Sequence, residues 1–310
     1  MNAGGATSGV LPFVRKKSAG IALRFFACLV ILFVSVISIA PSESFAAPAS
    51  SPSCATGVGN GGTRDAVIAN TIGGHGCVVI KYFVNGAYAY ETYNYTGANQ
   101  TWTVPIGISH AIVYLIGAGG GGSGTTHATY KGGNGGGGGY VQGSLSVSPR
   151  TRYSIIVGEA GGGTAPVLIS GSGSSSVYRT AVTYGGGGQG GSIVNFAVGY
   201  ASGGGRSAIR LENGITDIAT AGGGGGAGST PNTVSGGSVS NGGPGGGTSG
   251  TASGVTYGGG AGTQIAGGNG GSSGWGPSYG GTAGTQFQGG NSKDEGGGGG
   301  GGWFGGGGGG

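Results

Sequence analysis

Residues 110–122 read His-Ala-Ile-Val-Tyr-Leu-Ile and then, without a break, Gly-Ala-Gly-Gly-Gly-Gly. The first seven residues are rich in β-branched and aromatic side chains, which favour a β-strand. The glycines that follow argue against a helix, because glycine in a helix interior costs about 1 kcal/mol relative to alanine. This succession of a short strand and a glycine tract recurs along the chain and decides the predicted fold class.

Segments with strand character alternate with glycine tracts from residue 77 onward. Cys77–Val84 is β-branched and aromatic and precedes Asn85-Gly86, a pair typical of a type I′ turn, so a hairpin with Ala87–Tyr95 is predicted. Further strands are predicted at Gln100–Val104, Tyr140–Val147, Thr151–Val157, Ala165–Ile169, Ser176–Tyr184, Ser207–Leu211 and Ile215–Ala219. Glycine tracts lie at 117–122, 132–139 (interrupted by Asn134), 185–188, 203–205, 222–226, 245–247, 258–260 and 296–302.

The composition excludes several classes of protein. Of 310 residues, 88 are glycine and 10 are proline, without the G-X-Y period of collagen. Only 7% of the residues are charged, which argues against a disordered tail driven by charge. A flexible Gly/Ser linker would not carry so many Val, Ile and Tyr segments at strand spacing. The chain is therefore predicted to fold.

The predicted fold is mostly β: a β-sandwich with packed polyglycine-type helices in its glycine-rich loops. Without a Cβ, two extended helices of three residues per turn can approach until their main-chain groups form hydrogen bonds with each other. Ordering glycine costs much conformational entropy, so a single tract would stay loose. We therefore expect a packed array of several tracts.

The N-terminal residues have the pattern of a secretion signal. A basic region ending at Arg24 precedes the apolar run Phe25–Ala40, and Ser44-Phe-Ala46 offers small residues at a cleavage site. This predicts a signal peptide over residues 1–46, cleaved before Ala47. The alternative is an uncleaved membrane anchor, although the 16 apolar residues fall short of the roughly 20 that span a bilayer.

The remaining chain is predicted to comprise a flexible N-terminal extension, 47–76, and a glycine-rich domain, 77–310. Most of the formal net charge of +5 lies in the predicted signal peptide. No basic stripe and no RGG repeat is present in the sequence, so nucleic acid is not an expected partner.

Two cysteines would remain after cleavage, Cys54 and Cys77. A single pair in an exported chain predicts a disulfide. Lipidation of Cys54 and a catalytic pair of Cys77 with His75 are the alternatives. One His and one Cys lack the four ligands of a structural zinc site, so no metal is expected.

Aromatic side chains stand among the glycines near the C-terminus. Trp275, Tyr279, Trp303 and Phe304 are candidates for a ligand surface, since aromatic rings on a background of small residues suit carbohydrate or protein contact. The alternative is that these rings fill the gap between the sandwich and the glycine helices. Gly117–Gly122 also fits G-x-G-x-x-G, but this composition yields such matches by chance and no helix pattern follows, so no cofactor is predicted.

An ordered set of motifs resembles the glycine-rich domain of anaplastic lymphoma kinase and leukocyte tyrosine kinase, and of bacterial secreted relatives. The matching segments are Gln100–Ser109, Ala111–Gly122, Gly135–Val147, Tyr153–Gly158, Ser207–Leu211, Ala219–Gly228 and Gly296–Phe304. The resemblance implies a β-sandwich joined to a bundle of polyglycine helices that serves in recognition or as a scaffold. It implies no kinase activity, because the sequence contains no kinase catalytic motif. Relatives continue into a closing strand, so a C-terminal truncation at Gly310 is also expected.

The sequence thus predicts a non-enzymatic surface binding or adhesion module, secreted or held at the cell surface. A cell-surface protein or glycan is the expected partner, and the membrane would be contacted only through an uncleaved signal segment. The alternative is a structural protein of the cell wall or extracellular matrix without a specific ligand.

Overall fold

A computed structural model describes residues 54–64, 71–124, 130–162, 167–170, 177–192, 200–231, 240–273, 276–293 and 296–310. Strands are the main regular elements of these residues, and the helical element among them is a 3₁₀ turn at Pro277–Tyr279. The protein is therefore mostly β, as predicted.

The first sheet has four antiparallel strands. They are β1 (Cys77–Val84), β2 (Ala87–Asn94), β4 (His110–Ile116) and β6 (Tyr140–Ser146), in the order β2-β1-β4-β6. The turn between β1 and β2 consists of Asn85 and Gly86, both with positive φ, at 50° and 82°. This is the hairpin that the Asn-Gly pair predicted.

The second sheet also has four antiparallel strands. They are β3 (Gln100–Thr103), β7 (Arg152–Ile156), β11 (Ser207–Leu211) and β12 (Ala219–Ala221), in the order β12-β11-β7-β3. The predicted strand at Ile215–Ala219 is wrong, since the strand begins only at Ala219. Ile215 is 84% exposed in the preceding turn, and Asp217 is buried in an ion pair instead.

The two sheets share one hydrophobic cluster. From the first sheet it takes the inward-facing residues Val78, Ile80, Ala111, Val113 and Leu115, and from the second Trp102, Tyr153, Ile155 and Ile209. Buried residues alternate along β4 with residues that are partly or fully exposed, as expected for a strand with one face in the core. These eight strands are called the two-sheet region below.

Two small sheets accompany the two-sheet region. One contains β8 (Val167–Ser170), β9 (Val177–Arg179) and β10 (Gly191–Ser192), in the order β10-β9-β8. The other pairs β5 (Tyr130–Gly132) with β13 (Ser229–Pro231).

Glycine tracts beside the two-sheet region bond to one another through the main chain. Their residues are 117–123, 132–139, 201–206, 222–228, 240–247, 296–302 and 304–310, called the glycine array below. In the first tract, every third amide donates to the same neighbouring tract. Three amides donate to tract 132–139: Gly117 to Gly139 (2.9 Å), Gly120 to Gly136 (2.9 Å) and Ser123 to Gly133 (2.9 Å). Two donate to tract 201–206: Ala118 to Gly205 (3.0 Å) and Gly121 to Ser202 (3.1 Å). The other two donate to the N-terminal segment: Gly119 to Gly74 (2.9 Å) and Gly122 to Thr71 (2.9 Å).

Tract 222–228 repeats this threefold alternation. Its amides donate in turn to Gly246, Gly301, Ala118, Gly243, Gly298, Gly121 and Ser240. A strand would alternate between two sides, so these tracts bond in a way that a β-sheet cannot. Buried main-chain donors that side chains do not satisfy are thus satisfied by neighbouring tracts.

Close main-chain approach explains why these positions are glycine. A Cβ at Gly120 would collide with the carbonyl oxygen of Gly225, and a Cβ at Gly136 with that of Gly243. Gly137 differs, since its added Cβ would meet only the Gly59 oxygen, at an ordinary 3.5 Å.

Part of the predicted N-terminal extension is hydrogen-bonded to the array. Gly62 N–H donates to Gly120 O at 2.8 Å, and Gly119 N–H donates to Gly74 O at 2.9 Å. The predicted disulfide between Cys54 and Cys77 is confirmed, with an S–S distance of 2.04 Å. It ties this segment to the start of β1.

Candidate functional site

Two of the four aromatic residues predicted as a ligand surface lie in one cavity. Trp303 and Phe304 follow tract 296–302, are half-buried, and line a cavity of about 450 Å³. Tyr279 is 40% exposed but does not line this cavity. Trp275 lies outside the described residues. The structure therefore brings together Trp303 and Phe304 and leaves Tyr279 apart from them.

A second recess, of about 630 Å³, adjoins the first and shares Trp303 with it. Gln264 and Thr248 also line both spaces, whereas Tyr140 and Gln142 line only the second. We call the two spaces together the Trp303 cleft. None of the described residues that line it has a charged side chain, so its polar side chains are amides and hydroxyls, and the rest of its polar surface is main chain.

Hydrogen bonds hold the polar side chains of the Trp303 cleft. Gln264 Nε2 donates to Gly247 O at 2.7 Å. Tyr140 Oη donates to Gln142 Oε1 at 3.0 Å, which orients the Gln142 amide. A phenol and two amides are thus available as donors and acceptors beside an indole ring.

A neighbouring strand-like segment positions Trp303. The rings of Phe287 and Trp303 meet edge to face with centroids 5.8 Å apart, a favourable aromatic geometry. Phe287 N–H donates to Trp303 O at 3.1 Å, and Gln286 pairs with Phe304 in an antiparallel bridge. Phe287 has a φ of 63°, which is uncommon for a bulky residue. The surrounding contacts therefore impose this backbone conformation.

Arg206 also contacts Phe287. Its guanidinium lies 4.4 Å from the centre of the Phe287 ring, within the range of a cation–π contact. Its Nη1 donates to Gly185 O at 3.1 Å and to Phe287 O at 3.4 Å. Since Arg206 ends tract 201–206, the glycine array itself supports the segment that carries Trp303.

A buried ion cluster fixes Arg206. Its Nε lies 2.9 Å from Asp217 Oδ2, and Arg210 Nε lies 3.1 Å from Asp217 Oδ1. Thr220 Oγ1 donates a hydrogen bond of 3.1 Å to the same carboxylate. In the sequence Asp217 stands as an isolated acid, and no pattern indicated that Arg210 on β11 and Arg206 just before this strand both contact it.

A second cluster of titratable groups contains His75. Its Nδ1 accepts a hydrogen bond of 3.0 Å from the Ala160 amide, and its ring stacks on Tyr95 with centroids 4.3 Å apart. Burial lowers the pKa of His75, and this effect exceeds that of the negative charge of Glu159, which raises the pKa. Because Nδ1 accepts a hydrogen bond, it carries no proton, and the neutral imidazole fits this position.

Cys77 does not complete a catalytic pair with His75, because its sulfur is bonded to Cys54. Among the described residues, no group of three or more His, Cys, Asp or Glu side chains is placed to hold a metal ion. In the same part of the chain, no helix has the length and hydropathy needed to cross a membrane.

Comparison with known proteins gives one match. The model of a family described as "Glycine-rich domain" matches residues 94–310. No curated protein and no solved structure matches the chain. The family match begins near the end of β2 and includes the glycine array and the Trp303 cleft. Because it spans more than two thirds of the sequence, the chain belongs to this glycine-rich domain family.

Proposed function

We propose that the protein is an exported surface-binding module and that the Trp303 cleft takes a neutral cell-surface glycan. The observation that carries this proposal is that no described residue lining the cleft has a charged side chain. A sugar presents an apolar face of C–H groups, which stacks on aromatic rings such as that of Trp303. Its hydroxyl groups both donate and accept hydrogen bonds, as do the amides of Gln142 and Gln264.

We further infer that the two sheets form a β-sandwich and that the glycine tracts are polyglycine helices. The threefold alternation of hydrogen-bond partners along tracts 117–123 and 222–228 supports this, because an extended glycine helix has three residues per turn. Such a packed array would give the Trp303 cleft a wall without mobile side chains. A rigid wall lowers the entropy lost when a ligand binds.

Export is part of the same proposal. The predicted signal peptide over residues 1–46 directs the chain out of the cell, and the disulfide between Cys54 and Cys77 suits an oxidising compartment. We extend the family relationship, on the motif order given above, to the glycine-rich domains of the anaplastic lymphoma kinase group. Recognition outside the cell is the role that this relationship favours.

The proposal is tested by binding of the purified protein to an array of neutral and charged glycans. We expect saturable binding to a neutral glycan. The substitution Trp303→Ala should weaken this binding about tenfold or more, because it removes the ring on which the sugar stacks. Tyr279→Ala is the matched control, since Tyr279 is exposed but lies outside the cleft. Equal loss in both variants, or binding that Trp303→Ala leaves unchanged, would refute the cleft as the site.

A structural role in the wall or matrix is the second candidate. The density of main-chain hydrogen bonds in the glycine array favours it, since such an array could serve as a stiff building block. The same experiment separates the two roles. A protein that binds no glycan or protein saturably, yet incorporates into wall or matrix fractions, is a structural component.

A further inference from the structure

The outer face of the sheet β2-β1-β4-β6 is unusually aromatic. Residues alternate between the two faces of each strand, and the inward set forms the shared hydrophobic cluster. The opposite face carries Phe83, Tyr88, Tyr90, Tyr114 and Tyr140. Phe83 and Tyr88 are each 57% exposed, and Tyr140 is 55% exposed.

Such a face differs from that of an ordinary solvated sheet. The outer face of an antiparallel sheet is normally polar, whereas exposed aromatic clusters with a polar rim mark interaction sites. Here the rings of Phe83 and Tyr88 pack edge to face, with centroids 5.3 Å apart. Thr92, Gln142 and Ser144 add hydroxyl and amide groups to the same face.

Lys81 lies within this aromatic face. It stands opposite Tyr90 on one side and Ile112 on the other. Its Nζ lies 4.0 Å from the centre of the Tyr88 ring and 5.6 Å from that of Tyr90. The two rings therefore fix a cation at the surface of the sheet.

No described carboxylate pairs with Lys81. Glu91 on the neighbouring strand faces the interior, where it accepts hydrogen bonds from Tyr82 and Tyr93 at 2.8 and 2.9 Å. Glu212 pairs with Arg152, and the Asp217 carboxylate is taken up by two arginines. The aromatic face thus carries a positive charge that lacks a negative partner in the described part of the chain.

We propose that this face binds a carboxylated polysaccharide, with a uronate carboxylate on Lys81 and sugar rings on Tyr88 and Phe83. Charge complementarity selects an anionic ligand, and the exposed rings offer stacking surfaces. An acidic peptide fits less well, because an extended peptide needs main-chain partners at a sheet edge, and this face offers side chains. This site goes beyond the neutral-glycan site in the Trp303 cleft.

The test compares two polymers that share one sugar backbone and differ in whether the carboxyl groups are charged or methyl-esterified. Polygalacturonate and its fully methyl-esterified form share the same sugar backbone, and binding to the purified protein is measured by calorimetry or a biosensor. We expect the acidic polymer to bind at least about fivefold more tightly at low salt and to lose that advantage at high salt, as screening removes an exposed ion pair. Equal affinity for the two polymers at low salt overturns the proposal.

Variants locate the binding. Lys81→Gln should remove the preference for the acidic polymer, whereas Lys81→Arg should retain it. Tyr88→Ser should weaken binding of both polymers, because it removes a stacking surface. Lys131→Gln is the matched control, since Lys131 is exposed on β5, outside this face. An equal effect of Lys131→Gln, or polyglutamate binding that matches polygalacturonate, would assign the site to non-specific charge or to acidic peptides.

Discussion

The two-sheet region and the glycine array are held together by different parts of the chain. In the two-sheet region, large side chains such as Trp102, Ile80 and Leu115 are fully buried between strands. In the array, buried residues such as Gly120 and Gly136 have no side chain, and the interior consists of main-chain segments that are hydrogen-bonded to one another. The first region gains stability from apolar burial, and the second depends on satisfying its donors and acceptors.

This difference predicts opposite sensitivities to substitution. A side-chain core responds to the removal of atoms, since a smaller residue leaves a cavity. A main-chain array responds to the addition of atoms, because a single methyl group separates two hydrogen-bonded tracts. The Asp217 cluster joins the two regions, because it contains Arg206 of the array and Arg210 of β11. A substitution there should reduce stability more than one within either region.

Asp217→Ala is expected to have the largest effect. It leaves Arg206 and Arg210 without their anion, and an unpaired charge in a buried site costs about 3–5 kcal/mol. Denaturant unfolding of the purified protein measures this loss. The control is Glu212→Ala, which breaks the more exposed ion pair with Arg152 and should cost less than about 1 kcal/mol.

The variant Asp217→Ala also tests whether the Asp217 ion cluster positions Trp303 in its cleft. Loss of the anion should release Arg206 from Phe287, and thereby Trp303 from its edge-to-face contact. Near-ultraviolet circular dichroism should therefore change in Asp217→Ala under conditions where the protein stays folded. A stability loss no larger than that of Glu212→Ala would show that the two regions are not coupled through Asp217.

The next effect compares two adjacent glycines. Gly136→Ala places a methyl group against the Gly243 carbonyl and should destabilise the protein by about 2–3 kcal/mol. Gly137→Ala meets only an ordinary contact and should be neutral or stabilising by up to about 1 kcal/mol, because alanine loses less backbone entropy on folding. Unfolding free energies of the two variants give the comparison.

A substitution in the two-sheet region completes this comparison. Ile80→Val removes one methylene from the core and should cost about 0.5–1.5 kcal/mol. The array would then be more sensitive to one added carbon than the core is to one removed. Similar costs for Gly136→Ala and Gly137→Ala would mean that the tracts are not packed at main-chain distance.

These glycines also show where prediction from the sequence ends. The strands β1, β4, β6 and β11 follow from their side-chain patterns, and the disulfide follows from the cysteine pair in a chain predicted to be exported. The sequence cannot distinguish Gly136 from Gly137, because the identity of the facing tract is set by packing between residues about 100 positions apart.

The candidate site was predicted only in part for the same reason. Trp303 and Phe304 were identified as aromatic residues among glycines, a local pattern. Tyr140, Gln142 and Gln264 belong to distant segments that meet Trp303 only in the folded protein. A polar residue on a strand that alternates regularly gives no indication that a cleft adjoins it.

The smallest predicted effect is a loss of stability at high pH that originates in the two-sheet region. The phenols of Tyr82 and Tyr93 both donate to the Glu91 carboxylate, at 2.8 and 2.9 Å. Burial, together with the hydrogen bond and charge of Glu91, raises the pKa of each phenol above the usual value of about 10. Trp102 Nε1 donates to the same carboxylate at 3.2 Å, so the cluster joins both sheets.

The sign follows from proton binding in the two states. Above about pH 10 the unfolded chain releases the phenol protons that the folded protein keeps, so the stability that these phenols contribute is lost as the pH rises. Allowing for solvent screening, we expect a loss of about 1 kcal/mol between pH 10 and pH 11, measured by denaturant unfolding. Tyr82→Phe, and separately Glu91→Gln, should reduce the slope. The tracts 117–123 and 222–228 contain no ionisable side chain and do not contribute to this pH dependence. If the dependence of stability on pH is unchanged in both variants, the assignment to the Glu91 cluster is wrong.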